Sequence, residues 1–183
     1  MKYIILIPIY NDRESLKVLI ENINYQAKEL NSEISIVVIN DASSQQIIDS
    51  YQNLENIISL EIVNMRENRG HARCIASGLK YIFEKKEFDY VIPMDGDGED
   101  RPEEINEFIK ATKQYTDKSI VGERVQRSEG FFFQLCYRFH KFLTLAFTGE
   151  SIKFGNFTCL SKSTVKKLLN EKSTWNSFSG SLK

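Results

Sequence analysis

The stretch Lys2–Ile9, KYIILIPI, constrains this chain more than any other, because it is apolar almost throughout and too short to make a helix. Such a strand is buried on both faces, as in a parallel sheet covered by helices on each side. Pro8 lies near its end, where a missing ladder hydrogen bond matters least. The helix predicted next carries Leu16, Leu19, Ile20, Ile23, Ala27 and Leu30 at helical spacing, with Asn11 and Glu14 placed as a capping box. Ile34–Ile39 and Ile58–Val63 read as two further strands, and Ile47, Ile48, Tyr51 and Leu54 predict a helix between them. A helix with Ala72, Ile75, Ala76, Leu79, Ile82 and Phe83 comes next, then a strand at Tyr90–Met94. Ile105, Phe108 and Ile109 mark another helix, and Ser119–Glu123 a fifth strand. Strand and helix alternate, so the fold class is α/β: a doubly wound, mostly parallel sheet flanked by helices in a single domain.

In such a sheet ligands bind beyond the carboxyl ends of the strands, and the polar clusters of this chain all come after strands. The densest is Tyr90–Glu104, YVIPMDGDGEDRPEE. If the backbone stays extended through Asp95, Gly96 and Asp97, the two carboxylates point the same way with no side chain between them. Like charges so crowded are costly unless a cation joins them. Hard oxygen ligands suit Mg2+ or Mn2+ shared with a substrate's phosphates. Gly96 and Gly98 let a bulky anion approach the backbone. Asp100 and Glu103, with Pro102, suit the start of the next helix, and an acidic capping turn is the plainer account of the whole cluster.

The 183 residues suffice for one domain with a sizeable core. Cys74, Cys136 and Cys159 are odd in number and form no CxxC, which favours reduced thiols in the cytoplasm over disulfides or zinc. Neither a signal pattern nor an apolar run of membrane-spanning length is present in the sequence, so the expectation is a chain neither secreted nor spanning. Residues 1–123 hold 14 Lys and Arg against 22 Asp and Glu, whereas residues 124–183 hold 10 against 3. That asymmetry argues against nucleic-acid binding and allows an anionic surface or phosphate at the C-terminal part, beside the simpler account of a solvated basic face. There, Phe131–Phe147, FFFQLCYRFHKFLTLAF, is apolar over more than half a helical circumference. It fits a core helix, an interfacial helix resting on lipid headgroups, or a dimer contact that would make the chain a homo-oligomer. Gly155–Leu160 predicts a strand, and Ser163 opens a last helix with Val165, Leu168 and Leu169.

Taken together and in order, PIYND (8–12), NDASS (40–44), NRGHARCIASGL (68–79), MDGDGEDRPEE (94–104) and GERVQR (122–127) resemble the family 2 glycosyltransferases of GT-A fold. The likeness covers nearly the whole chain and is strongest to the polyprenyl-phosphate group, the dolichol-phosphate mannosyltransferases and bactoprenol glucosyltransferases. It implies a single catalytic domain over 1–183, with a nucleotide-sugar half (1–100) and an acceptor half (101–183). Pro8, Tyr10, Asn11 and Asp12 then form the nucleotide-binding first loop, and Asp41 is the carboxylate that reads the base. Asn68, Gly70 and Arg73 lie beside the nucleotide and diphosphate. Asp95, Gly96 and Asp97 form the DxD motif, in which Asp97 is the direct metal ligand. Arg124 and Arg127 face the acceptor phosphate, which their donor fork suits. The partners implied are a UDP- or GDP-sugar and a lipid phosphate at the inner face of the cytoplasmic membrane. The activity implied is metal-dependent transfer with inversion.

Two departures matter. Gly155-Asn156-Phe157 stands where the family has a GDF-type segment, so an amide, Asn156, occupies a carboxylate's catalytic place. Either the acceptor phosphate attacks unaided, or the acceptor differs, as in transfer to a soluble sugar hydroxyl, or the chain is a weakened sugar-nucleotide binder. Relatives also often carry further residues and transmembrane helices after this domain, which leaves a truncated chain or one touching the membrane through 131–147. A dinucleotide oxidoreductase is disfavoured because no GxGxxG comes after the first strand. A phosphoacceptor receiver domain lacks both the paired DxD and an aromatic helix after its fifth strand.

Overall fold

A computed structural model describes residues 1–47, 51, 54–123 and 154–181. In chain order it contains β1 (Lys2–Ile9), α1 (Arg13–Ala27), β2 (Glu33–Asn40), β3 (Ser59–Asn64), α2 (His71–Lys85), β4 (Tyr90–Pro93) and a 3-10 turn at Pro102–Glu104. After these come α3 (Ile105–Gln114), β5 (Ile120–Glu123), β6 (Phe154–Ser161), α4 (Lys162–Asn170) and two further 3-10 turns.

The six strands form one sheet in the order β3-β2-β1-β4-β6-β5. β1 is central and parallel to both neighbours, β2 over its whole length and β4 from Tyr3 to Leu6. β6 enters antiparallel between β4 and β5, so the sheet is mixed on that side. Alternation along β1 divides the core. Tyr3, Ile5, Ile7 and Ile9 face one side with Leu16, Leu19, Ile20 and Ile23 of α1 and Phe108 of α3. Ile4 and Leu6 face the other with Ile75, Leu79 and Ile82 of α2 and Val165 of α4. At Gly78 α2 presses so closely on the sheet that a Cβ there would sit 2.4 Å from Leu6 Cδ1.

Two local readings are corrected. The cap of α1 is Asp12, whose Oδ1 accepts from Ser15 N at 3.2 Å, and not Asn11. Asn11 has φ 53° and cannot act as an ordinary cap, since an N-cap keeps an extended backbone. The helix predicted around 47–54 does not form at its described positions: Ile47, Tyr51 and Leu54 lie in irregular backbone, packed against the core on the α1 side.

Candidate active site at the carboxyl rim of the sheet

The loops leaving β1, β2, β3 and β4 meet at one edge, and side chains brace them to one another. Asn11 Oδ1 accepts from Ser44 N at 2.8 Å and Ser44 Oγ at 3.0 Å, while Asn11 N donates to Ser43 Oγ at 2.8 Å. Asn40 Nδ2 donates to Asn64 Oδ1 at 2.8 Å, tying the ends of β2 and β3. Asp41, 4 % exposed, accepts from Arg69 N on one carboxylate oxygen and Gly70 N on the other, each at 2.8 Å. That clamp holds the turn into α2, where Gly70 takes φ 85°, a conformation that side chains disfavour.

The acidic loop differs from its expected form. β4 ends at Pro93, and Gly96 and Asp97 lie in a turn, so it is the turn that brings both carboxylates to one cleft. Asp97 Oδ1 accepts from Glu99 N at 2.9 Å, closing that turn. Asp100 is buried, and its Oδ2 accepts from Asp95 N at 2.8 Å, a partner within the loop that the sequence did not suggest. Gly96 is required by contact, since a Cβ there would lie 2.9 Å from both the Pro8 carbonyl oxygen and Ile9 Cδ1.

Two adjoining hollows with shared walls result. One, of about 250 Å3, is lined by Pro8, Ile9, Tyr10, Asp41, Asn68, Gly70, His71 and Cys74. The other, of about 200 Å3, is lined by Pro8, Ile9, Tyr10, Asp12, His71, Asp95, Gly96 and Asp97. Arg73 is exposed and lines neither. Arg124, Arg127 and the segment 131–147 lie outside the described residues, as does the side chain of Asn156, whose backbone belongs to β6.

Sequence reasoning passed over His71, the first residue of α2. Its Nε2 lies 3.2 Å from Asp95 Oδ1. The hydrogen bond with Asp95 raises its pKa against the opposing effect of burial, and the charges of Asp95, Asp97 and Asp100 add to the rise. Its signal in the sequence was its place immediately after a rim glycine. Cys74 on the cleft floor is inert by contrast, since burial pushes its thiol up to about 12.

The residues present fit a hard divalent ion. Asp95 is part-exposed and Asp97 exposed, both on the same hollow. No group of three or more His, Cys, Asp or Glu suited to a metal exists among the described residues. An ion here would therefore complete its shell from phosphate oxygens and water, which is the habit of Mg2+.

A family model described as Glycosyl transferase family 2 matches residues 4–169. The chain is 29% identical over 164 residues to an undecaprenyl-phosphate 4-deoxy-4-formamido-L-arabinose transferase of Photorhabdus laumondii, covering 87% of this chain and 47% of that protein. With the enzyme of the same description from Serratia proteamaculans it shares 26% identity over 181 residues, 95% of this chain and 54% of the relative. The chain thus spans about half the length of these curated relatives. Among solved structures, mannosyl-3-phosphoglycerate synthase from Rubrobacter xylanophilus superposes with TM-score 0.64 at 15% identity, over 89% of this chain and 54% of that one. S. aureus TarS 1-349 in complex with UDP gives TM-score 0.54 at 20% identity, over 71% and 38%. These likenesses place the fold with the GT-A glycosyltransferases.

Proposed function

Because the chain belongs to glycosyl transferase family 2, we propose that it transfers a sugar, with inversion, from a UDP- or GDP-sugar to a polyprenyl phosphate. The observation that carries this reading is the pair of adjoining hollows, one lined by Asp41, Asn68 and Gly70 and the other by Asp95 and Asp97, with Pro8, Ile9, Tyr10 and His71 common to both. A nucleoside diphosphate fits it with the base at the first end and the diphosphate at the second. Tyr10, 53 % exposed at the shared wall, offers a ring face to the base. Asp41 shapes the base end by holding the 69–70 backbone, and any contact with the base uses a remaining lone pair. Asn68 and Gly70 line the same end, and Asp12 fixes the start of α1 beside the acidic loop.

Asp95 and Asp97 would hold Mg2+ or Mn2+. The ion, when bound, supplies positive charge for the diphosphate that departs. Displacement at the anomeric carbon by an acceptor phosphate, already an anion, needs little general-base help, which suits an amide at position 156. In this reading residues 1–100 bind the donor and 101–183 meet the acceptor, with Arg124 and Arg127 on its phosphate. Among the described residues no helix is long and apolar enough to cross a membrane. The lipid acceptor is reached, in the same proposal, by peripheral contact through 131–147 at the inner face of the membrane, on the strength of that segment's apolar and basic sequence. Asn156 also favours a second reading, a sugar-nucleotide binder of weak turnover.

Thermal shift with UDP- and GDP-sugars in Mn2+ and in EDTA tests the donor site, and transfer to a polyprenyl phosphate tests the reaction. Stabilisation that needs Mn2+ together with product supports the proposal, since a ligand raises apparent stability by mass action. Binding without product favours the second reading. No shift with any nucleotide-sugar ends both.

A further inference from the structure

We propose that His71 couples metal binding to diphosphate binding: Asp95 holds its ring until a divalent ion takes the carboxylate, and the released ring then donates to the diphosphate. The inference rests on the reading of the cleft as a nucleotide-sugar site and assigns a task within it to a residue that the donor and metal motifs leave out.

Four residues line both hollows, Pro8, Ile9, Tyr10 and His71, and of these His71 alone carries a basic group. A diphosphate bridging a base near Asp41 and an ion at Asp95 and Asp97 has to pass this junction. Nε2 already donates across it, 3.2 Å from Asp95 Oδ1. The imidazole side chain is 48 % exposed, so turning it toward the cleft disturbs no packed core. It also stands on the first residue of α2, where the helix dipole favours an anion. The backbone of Asp95 is restrained, because its N–H is held by the buried Asp100 carboxylate, so the loop that carries the carboxylate stays in place during the exchange. An oxygen coordinated to a divalent ion is a poorer hydrogen-bond acceptor, whereas a diphosphate oxygen beside it is a strong one.

Titration calorimetry of UDP and GDP, each in Mn2+ and in EDTA, with wild type, His71→Ala and His71→Gln, tests the coupling. Removing a hydrogen bond to a charged group weakens binding about tenfold, and this loss is expected for His71→Ala in Mn2+ alone. In EDTA, where Asp95 retains the ring, His71→Ala should bind as wild type does. Mn2+ without nucleotide should bind His71→Ala at least as tightly as wild type, because the competing N–H is gone. His71→Gln, which keeps an N–H donor, should recover part of the loss. Equal weakening with and without Mn2+, or wild-type affinity of His71→Ala in Mn2+, overturns the inference and leaves the donor site standing. If wild-type protein gains no nucleotide affinity from Mn2+, the metal-assisted site fails and this inference fails with it.

Discussion

Asp41 and the Asp95–Asp97 pair leave neighbouring regions of one rim, yet they are held in opposite ways. The carboxylate after β2 is 4 % exposed, and its two oxygens accept from two backbone amides of the next loop. After β4 the division of labour is spread over three residues. Asp100 is the buried one that fixes backbone, while Asp95 and Asp97 stand on the cleft. A rim acid can therefore shape a site or contact a ligand, and burial with backbone partners separates the two duties better than residue type does. The second loop can keep its ligand-facing acids accessible because another acid anchors it from below.

The sharpest way to break this contrast is at the exposed end. Asp97→Ala should reduce nucleotide binding in Mn2+ to its level in EDTA while shifting stability by no more than about 0.5 kcal/mol, as for a surface position. Calorimetry and urea unfolding of the same sample measure both, and a loss of stability matching the loss of binding would erase the distinction. Asp41→Ala should do the reverse first: the backbone amides of Arg69 and Gly70 lose a charged acceptor, at a cost of roughly 2 kcal/mol in urea unfolding. Asp41→Asn, which keeps one acceptor oxygen, should lose about half as much. Asp100→Ala should cost about 2 kcal/mol, with Asp100→Asn recovering most of it if acceptance from Asp95 N is the task.

Glu61 on the edge strand gives the smallest effect and a baseline. Its carboxyl is held below the usual range by Lys86 and then by Tyr81. Stability from such a lowered group is present above its unfolded pKa and is lost as pH falls through the folded value. Because the pair is about one-third exposed, Glu61→Gln should cost under about 1 kcal/mol at neutral pH and nothing in acid. A larger loss would mean that surface pairs rival the rim acids.

Strands were legible because they are apolar runs whose burial leaves little choice. β1 is found at its expected bounds, and β2, β3 and β4 within a residue or two. Helices with a clean stripe, α1, α2 and α3, were legible for the same reason. Ile47, Tyr51 and Leu54 misled because irregular backbone can also bring apolar side chains to the core. The antiparallel course of β6 was hidden, since direction leaves no mark in a short strand's own residues. At the rim the residue types were readable and the partners were not. Nothing local says that Asp100 reaches back to Asp95 N, or that His71 faces Asp95 across a turn. Such pairings depend on where the loops end in space.

Proline at position 8 has a consequence beyond its own strand. Met94 N donates to Leu6 O, so residues 4, 6 and 8 of β1 address β4, and the next rung would need an amide hydrogen that Pro8 lacks. Pro93 imposes a similar stop on the opposite flank, where pairing with β6 reaches no further than Val91. Two imino acids thus unfasten the acidic segment from both neighbours at once. The chain beyond Met94 is released from the pairing of the sheet, so apart from Gly96, pressed on β1, and the anchoring Asp100, its composition can be altered to suit a different cargo while the architecture beneath stays unchanged.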